Sequence, residues 1–344
     1  MIDRKETHIR EFQKMKIVFL SNYSGLLDEG MANVSYNIFK NLQSKFDNLL
    51  LLNIKNMGLD FWRKVLSSKV DVVHYFPGPS LKGLLLVKLI QMLTNCKTVI
   101  SATQPRLPEI KYFRMISMFL KPDIVLVQSK KSEIFFTRLN YKTKFIPNGV
   151  NLDKFVHLEQ EEKKKIRKKY GFNENDFIIL HVGPLKRGRN QYALMRIPDV
   201  KVLLVLSITN PSDDLDYKEL KNENVIIWKR YIPNIQEVYG LADVYVWPSI
   251  EEFNGIEIPL SVLEAMACNL PVITTRYGAL DRILQDGDGL FFIDKPEQIN
   301  ELILKIKNNN SGIATRKQIG SLSWENIAHE IANVYDDLCK PCEN

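Results

Sequence analysis

The chain has 344 residues, which is long enough for two domains of ordinary size, each with its own core. Hydrophobic residues make up 45% and charged residues 25%, a composition that excludes disordered and fibrous proteins. The 47 Lys and Arg residues exceed the 40 acidic residues, which gives a net charge of +7. This basic excess favours an anionic ligand or an anionic membrane surface. Nucleic acid is not favoured over these two partners.

Neither export nor membrane crossing is indicated. The first 14 residues are polar and charged and contain no apolar signal region. The most apolar helical stretch, Leu84 to Leu93, is interrupted by Lys88 and is too short to cross a bilayer. Four cysteines do not make a disulfide scaffold, and Cys339 and Cys342 stand alone in a polar tail. We expect a cytoplasmic protein, and the basic excess leaves peripheral contact with the inner face of a membrane open.

Apolar strands alternate with helices through the first half of the chain. The strand patterns lie at residues 16–21, 48–54, 70–75, 97–102, 124–128 and 144–146, and the helical patterns after the first helix at 61–66, 81–93, 110–120 and 132–139. This alternation favours a parallel sheet covered by helices on both faces. Ligands of such sheets bind beyond the carboxyl ends of the strands, which selects Tyr75–Gly78 and Ser101–Gln104 as candidate ligand-binding loops.

Gly30 precedes the first helical pattern, which begins near Met31 and carries Val34 and Ile38 at helical spacing. A glycine at this position lets backbone amides approach a phosphate, because no side chain intervenes and the helix N-terminus favours negative charge. An ordinary turn is the alternative interpretation.

A turn closes the first half at Pro147, Asn148 and Gly149, and we predict a domain boundary near residue 155. The charge run Glu159–Lys169 then predicts a solvated helix, with a membrane-surface patch as the alternative.

The second half begins with a strand at 177–182 and a basic turn bracketed by Gly183 and Gly188, before a predicted helix at 192–195. Cations beside backbone amides at a strand end suit a diphosphate, which needs both positive charge and hydrogen-bond donors. Lys186 and Arg187 are the candidates, and Arg189 is held in reserve. A merely exposed basic turn is the alternative.

The most informative stretch runs from Trp247 to Thr275. It predicts the end of a buried strand, an acidic loop at 251–255, a helix at 260–268 and a further strand. Glu264 stands in this helix among apolar residues, and a buried carboxylate is costly without a partner. Glu264 therefore meets an internal partner or faces a cleft in which the hydroxyl pair of a ligand can bind it.

These motifs resemble those of the family-four retaining glycosyltransferases of GT-B fold. The resemblance covers nearly the whole chain and is strongest from 247 to 293, in the sequences PSIEE and PLSVLEAMACNLPVI. It implies an α/β protein of two Rossmann-like domains facing a central cleft. The implied parts are an acceptor domain at 1-155, a nucleotide-sugar donor domain at 156-322, and a C-terminal helix at 323-344 that packs back on the first domain.

The same resemblance implies roles for individual residues. Glu264 matches the second Glu of the Glu, seven residues, Glu motif and would hold the ribose hydroxyls. The first Glu of that motif would fall on Ile256, so its role passes to the neighbouring Glu257. The implied donor site contains Gly30, Lys186, Arg187, Arg230, Tyr231, Glu257, Leu260 and Glu264, and its catalytic members are Lys186, Arg187 and Glu257. Family members often carry a His where this chain has Gln104, which makes Gln104 and His74 the acceptor-side candidates; a structural role is the alternative for His74.

We hypothesise a retaining glycosyltransferase that moves a sugar from a nucleoside diphosphate sugar, such as a UDP or GDP sugar, to a hydroxyl of a glycan, lipid or small molecule. Cations and amides would stabilise the leaving diphosphate, so neither a metal nor a cofactor is expected, and Asp286 and Asp288 receive no metal role. No contact with nucleic acid is expected. The alternatives are a sugar-nucleotide-binding protein with weak or lost transfer, and a GT-B enzyme of other chemistry such as an epimerase or phosphorylase.

Overall fold

The structure is a computed structural model, and it describes residues 13–22, 29–66, 69–104, 107, 113, 115–116, 118–195, 197–208, 224–250, 255–309 and 311–340, with the backbone alone at Arg187. The chain divides into two compact units. The first unit comprises Met1–Asn148 and Trp324–Asn344, and the second comprises Gly149–Ser323. The sequence-based domain bounds stay a prediction.

Within the described residues, twelve strands form the two sheets. In chain order they are β1 Lys16–Ser21, β2 Asn48–Asn53, β3 Val72–Tyr75, β4 Lys97–Ala102, β5 Ile124–Val127, β6 Thr143–Phe145, β7 Ile178–Val182, β8 Lys201–Leu206, β9 Val225–Lys229, β10 Val244–Trp247, β11 Val272–Thr275 and β12 Leu290–Ile293. The helices are α1 Gly30–Leu42, α2 Leu59–Leu66, α3 Leu81–Thr94, α4 Lys130–Arg138, α5 Gln160–Lys169, α6 Ile235–Leu241, α7 Leu260–Ala267, α8 Leu280–Ile283, α9 Gln298–Asn308, α10 Thr315–Gln318 and α11 Trp324–Cys339.

The first unit is built on a six-stranded sheet with the order β2-β1-β3-β4-β5-β6, and every pairing in it is parallel. The carboxyl ends of β1, β3 and β4 therefore meet at one edge of the sheet. Ser80 begins α3 by accepting a hydrogen bond from Gly83 N at 3.1 Å, and Asn95 ends it in the left-handed conformation. These local signals set where α3 begins and ends.

The second unit repeats the design with the strand order β12-β11-β10-β7-β8-β9, again parallel throughout. β7 and β10 are the central strands, and their carboxyl ends, at Val182 and Trp247, lie side by side. The two parallel sheets and the helices that join their strands confirm the predicted α/β class with a Rossmann-like arrangement in each half.

Two local predictions differ from the structure. The helix expected at 192–195 is replaced by short 3₁₀ turns at Arg187–Arg189 and Gln191–Leu194, because Asn190 takes a left-handed φ of 53° that interrupts a regular helix. The charged helix α5 is only partly solvated, because Lys163 Nζ and Arg167 Nη2 lie 2.7 and 2.6 Å from the carboxylate of Asp243.

Some predictions lie outside the described residues. These are the leading residues 1–12, residues 110–112, 114 and 117 of the helix expected at 110–120, and Glu251 and Glu252 of the acidic loop. Within the described part of the chain, no helix has both the length and the apolar character needed to cross a bilayer. The cysteines described there, at 96, 268 and 339, are free thiols.

Candidate functional site

The basic turn after β7 places a buried cation at the centre of the second sheet. Arg189 is only 5% exposed, and its guanidinium Cζ lies 4.5 Å from the centroid of the Trp247 ring. Burial lowers the pKa of Arg189 to about 10, so the guanidinium stays positively charged near neutral pH. Lys186 is partly exposed, and the side chain of Arg187 lies outside the described part. Of the two candidate side chains that the structure describes in this turn, the reserve candidate Arg189 is thus the buried one.

Two glycines make room for this guanidinium. Gly183 has a φ of 148°, and a Cβ added there would overlap Arg189 Nη1. A Cβ added at Gly255 would lie 3.2 Å from Arg189 Nη2 and 3.3 Å from the hydroxyl of Tyr277. Trp247 meets Tyr277 edge to face, with ring centroids 6.2 Å apart. The space left at the two glycines and the contacts of the aromatic rings therefore fix the position of the cation beside the carboxyl ends of β7 and β10.

His181 anchors the start of the basic turn. Its Nδ1 lies 2.8 Å from the carbonyl oxygen of Val246, and its ring stacks on Trp247 at a centroid distance of 5.3 Å. Burial lowers the pKa of His181 to about 3, so the ring is neutral and contributes geometry rather than charge. Gln191 donates from Nε2 to the carbonyl oxygen of Pro184 at 2.9 Å and closes the far side of the turn. Sequence reasoning treated His181 only as a strand residue.

The end of the basic turn is fastened to the segment after β10. Ile250 N donates to Gly188 O at 2.9 Å, and Thr275 Oγ1 donates to Ser249 O at 2.5 Å. The basic turn is thus joined to the segment after β10, and that segment is joined to Thr275 at the end of β11.

Glu264 has an internal partner in the second unit. The hydroxyl of Tyr239 donates to Glu264 Oε2 at 2.7 Å, and Tyr239 itself is fully buried against the edge of Phe155. Burial raises the pKa of Glu264, whereas the hydrogen bond from Tyr239 and the charge of Lys154 act in the opposite direction. Glu264 remains partly exposed, so its bond to Tyr239 is compatible with contact to a ligand.

Glu257 is 1% exposed and lies beside a tight turn. Its carbonyl oxygen accepts a hydrogen bond from Ala279 N at 2.9 Å, and a Cβ added at Gly278 would overlap that oxygen. Ile256, where the resembled motif expects its first Glu, is also buried. Leu260 begins α7 and is partly exposed.

Arg230 and Tyr231 occupy a different part of the second unit. Both are exposed and follow β9, which is the edge strand, two strands away from β7. The guanidinium Cζ of Arg230 lies 5.0 Å from the ring centroid of Trp228. The structure therefore groups Arg189, Trp247 and Tyr277 at the centre of the sheet and places Arg230 and Tyr231 at its margin.

A pocket of about 400 Å³ lies at the carboxyl edge of the first sheet. It is lined by Met31, Pro77, Gly78, Pro79, Ser80, Leu81, Thr103, Gln104 and Leu107. None of these lining residues is charged. Thr103 is 4% exposed, and its Oγ1 has no hydrogen-bond partner among the described residues. The candidate Gln104 thus lies in a neutral pocket with a buried hydroxyl that has capacity for a ligand.

Gly30 is the first residue of α1, next to a carboxylate. Glu29 caps this helix through both carboxylate oxygens, which accept from Met31 N at 3.2 Å and from Ala32 N at 3.0 Å. Two amides of the first turn are therefore already paired with an anion, and a phosphate at Gly30 would have to share or displace that carboxylate.

His74 is fully buried within the first unit. Its Nδ1 lies 2.6 Å from the hydroxyl of Tyr335 on α11, and its Nε2 lies 2.7 Å from Ser101 Oγ on β4. Burial lowers the pKa of His74 to about 3, so the ring is neutral. With both ring nitrogens engaged, His74 links α11 to the sheet, which fits the structural alternative.

The sequence pattern of the Glycosyl transferases group 1 family matches residues 176–309. The chain carries a glycosyl transferases group 1 domain. This domain contains the buried Arg189, Trp247 and the Glu264–Tyr239 pair.

Proteins similar to this chain occur in archaea and bacteria. An uncharacterized glycosyltransferase of Methanocaldococcus jannaschii is 27% identical over 78% of this chain and 75% of its own length. Alpha-galactosylglucosyldiacylglycerol synthase of Streptococcus pneumoniae is 25% identical over 52% of this chain and 49% of its own length. N-acetyl-alpha-D-glucosaminyl L-malate synthase of Bacillus anthracis is 25% identical over 56% and 54%, respectively. The chain thus spans about half the length of the last two relatives.

Solved structures resemble the chain over nearly its whole length. Anabaena HepE in complex with UDP and glucose has a TM-score of 0.71 at 16% identity, covering 93% of this chain and 99% of that one. Sucrose-phosphate synthase from Thermosynechococcus elongatus has a TM-score of 0.74 at 16% identity, covering 94% and 99%. At such identities the likeness concerns the fold alone, and it confirms the predicted GT-B fold class.

Proposed function

We propose that the chain transfers a sugar from a nucleoside diphosphate sugar to a hydroxyl acceptor, with retention of configuration at the sugar and without a bound metal. The observation that carries the proposal is the buried guanidinium of Arg189, held against Trp247 at the carboxyl ends of the two central strands of a glycosyl transferases group 1 domain. Parallel sheets bind their ligands at this edge, and a diphosphate requires a cation there.

The leaving diphosphate gains charge as the bond to the sugar breaks. A cation that is already fixed stabilises this charge without reorganising during the reaction. We assign this role to Arg189 together with the predicted cations Lys186 and Arg187. The Gly183 and Gly255 positions support this assignment, because each leaves space that the guanidinium occupies.

We assign the ribose hydroxyls to Glu264. An ionised carboxylate accepts hydrogen bonds from two adjacent hydroxyls, and the bond from Tyr239 at 2.7 Å holds one of its oxygens in a fixed orientation. Glu257, Leu260, Arg230, Tyr231 and Gly30 stay as proposed donor contacts. The retaining stereochemistry is supported by the resemblance of the Glu264 motif to the family-four retaining enzymes.

We assign the acceptor to the neutral pocket of the first unit. Gln104 and Thr103 offer hydrogen bonds there, while Pro77, Pro79 and Leu107 offer apolar surface, a combination suited to a neutral hydroxylated group. The names of relatives include transfer to a glycosylated diacylglycerol and to malate, so lipid and small-molecule hydroxyls are both reasonable acceptors to test.

A sugar-nucleotide-binding protein with weak or lost transfer is the second candidate. Two observations favour it: Gln104 cannot act as a general base, and the buried Ile256 stands where the resembled motif has a Glu. Such a protein would bind the donor sugar nucleotide and show no turnover.

Transfer is tested by incubating the protein with UDP, GDP and ADP sugars and a panel of glycan, diacylglycerol and hydroxy-acid acceptors in EDTA. Proton NMR of the product measures both turnover and anomeric configuration. Transfer with retention in EDTA supports the whole proposal, and inverted product removes the retaining assignment. Donor binding without turnover on any acceptor favours the binding protein, and turnover only after metal addition contradicts the metal-free mechanism.

A further inference from the structure

Exposed apolar side chains are concentrated in one segment of the first unit. Among the described residues, twelve of the seventeen large apolar side chains that are exposed fall between residues 57 and 134. They are Met57, Leu59, Leu66, Leu81, Leu85, Leu89, Met92, Leu93, Met115, Met118, Phe119 and Ile134. Scattered exposed leucines are ordinary on a protein surface, but such a concentration marks a surface that binds something.

The helices of this segment lie on one face of the sheet. The connections through α2, α3 and α4 all step in the same direction along the order β2-β1-β3-β4-β5-β6 between parallel strands, whereas the connection through α1 steps the opposite way. Because such connections are right-handed, α2, α3 and α4 cover one face and α1 covers the other. Phe61 of α2, Leu84 and Val87 of α3, and Phe136 of α4 accordingly share one core cluster. We call α2, α3 and α4 the basic helix layer.

Helix α3 shows the apolar outer surface most clearly. Leu84, Val87 and Ile90 face the core and are buried. Leu85, Leu89 and Met92 follow each other at helical spacing and are 50%, 45% and 74% exposed. A helix that is apolar on both sides is normally covered on both sides.

Charge separates the two helix layers of the first unit. Among their described residues, α2, α3 and α4 contain seven basic residues and two acidic ones: Arg63, Lys64, Lys82, Lys88, Lys130, Lys131 and Arg138, with Asp60 and Glu133. On the other face, α11 packs against α1. These two helices contain one basic residue and four acidic ones: Lys40, with Glu325, Glu330, Asp336 and Asp337. The layer with the exposed apolar side chains is therefore also the positively charged layer.

We propose that the basic helix layer docks on an anionic lipid bilayer. Apolar side chains such as Leu85, Leu89 and Met92 would enter the boundary between headgroups and acyl chains, and Lys82 and Lys88 would meet lipid phosphates. A second copy of the chain fits this surface poorly, because it would bring two positively charged layers together. The docking does not depend on the proposed transfer reaction.

The proposal is tested by flotation of the full chain with vesicles of phosphatidylcholine alone and of phosphatidylcholine mixed with phosphatidylglycerol. The protein is expected to partition onto the mixed vesicles, and added salt is expected to weaken this partition. The triple variant Leu85→Ser/Leu89→Ser/Met92→Ser is expected to lower the partition coefficient about tenfold or more. The matched control Val156→Ser/Ile208→Ser/Leu304→Ser, at exposed positions of the second unit, is expected to bind as the parent does.

Circular dichroism and the Tm of each variant show whether it folds, and Lys82→Gln/Lys88→Gln tests the charges separately with the apolar surface intact. The proposal is overturned by an absence of partition onto the mixed vesicles, by equal partition onto both vesicle types, or by unchanged partition of the folded triple variant. Concentration-dependent dimers that disappear in the triple variant would also overturn it, since a second copy would then be the occupant. Vesicle binding is measured without a donor sugar, so its failure is distinguishable from failure of transfer.

Discussion

The guanidinium of Arg189 lies over the indole ring of Trp247, with 4.5 Å between Arg189 Cζ and the ring centroid. The two residues belong to neighbouring parts of one sheet edge, since Arg189 follows β7 and Trp247 ends β10. A buried cation stacked in this way is fixed before a ligand arrives, which is the property that stabilisation of a leaving diphosphate requires.

Replacement of Arg189 is therefore expected to impair transfer strongly. Arg189→Ala should lower kcat by about 100-fold or more, the usual effect of losing one charge-stabilising group. Arg189→Lys should recover little, because an ammonium cannot stack as a planar group on Trp247. Lys186→Ala should cost less, because Lys186 is partly exposed. Steady-state kinetics with the best donor measures all three, and Arg63→Ala, at an exposed residue of α2, is the control. Wild-type kcat in Arg189→Ala would exclude this residue from the reaction.

Gly183→Ala tests the space around the guanidinium. The added methyl would overlap Arg189 Nη1, and the φ of 148° disfavours any side chain. Gly287→Ala is the matched control, because Gly287 also has a positive φ, of 118°, with nothing within 4 Å of an added Cβ. Both variants should lose roughly 1–2 kcal/mol of unfolding free energy in urea titrations. Only Gly183→Ala should also weaken donor binding in calorimetry, and equal donor affinity in the two variants would contradict the assignment.

The Glu264–Tyr239 pair separates recognition of the nucleoside from recognition of the diphosphate. Glu264→Gln is expected to lose affinity for a nucleoside diphosphate while keeping its weaker affinity for pyrophosphate. Tyr239→Phe should retain part of the nucleoside affinity and lose about 1–3 kcal/mol of stability, because the partly buried carboxylate of Glu264 loses its donor. Calorimetric titration with both ligands measures the difference. Unchanged nucleoside affinity in Glu264→Gln would make the carboxylate purely structural.

Nucleoside binding should also depend on pH through Glu264. Burial raises the pKa of Glu264, so this carboxyl becomes protonated at a higher pH than an ordinary glutamate and loses acceptor strength for ribose. Affinity should therefore fall on acidification over that raised range, and Glu264→Gln should remove this step. Stability should change over the same range. The unfolding free energy of the wild type, measured relative to that of Glu264→Gln, should fall as the pH rises from the ordinary glutamate pKa to the raised pKa, because the folded protein holds this proton more tightly than the unfolded chain does. A wild-type affinity that stays constant across that range would contradict the role of Glu264.

His74 is expected to act on stability and not on transfer. Tyr335→Phe removes the hydroxyl that lies 2.6 Å from His74 Nδ1 and should cost about 1–3 kcal/mol of unfolding free energy. Because the pKa of His74 is lowered to about 3, the pH profile of kcat should contain no step from this ring between pH 5 and 8. A loss of kcat in Tyr335→Phe at unchanged thermal stability would return His74 to the acceptor site.

The sequence predicted the sheets well because their strands are short apolar runs with strong boundaries. The predicted strands at 16–21 and 97–102 coincide with β1 Lys16–Ser21 and β4 Lys97–Ala102. The helix expected at 192–195 failed because the backbone of Asn190 adopts a left-handed conformation, which a helical apolar pattern does not reveal.

The site was harder to predict because its contacts join residues far apart in the chain. The basic turn was identified, but the choice of Arg189 over its neighbours depends on Trp247, 58 positions later, and on the space left at Gly183 and Gly255. The sequence required some partner for Glu264, and Tyr239 supplies it from another helix. One signal in the sequence could have favoured Arg189: a glycine stands at the strand end, at Gly183, and the arginine follows six residues later.

The most direct test of the central claim is calorimetric titration of the wild type and Arg189→Ala with UDP, GDP, ADP and their common sugar conjugates in EDTA. We predict that one nucleotide family binds the wild type without metal and stabilises it by about 2.7 kcal/mol at a hundredfold excess over Kd. Arg189→Ala should lose most of this affinity. Absence of binding by every nucleotide, with the protein shown to be folded, would contradict the account.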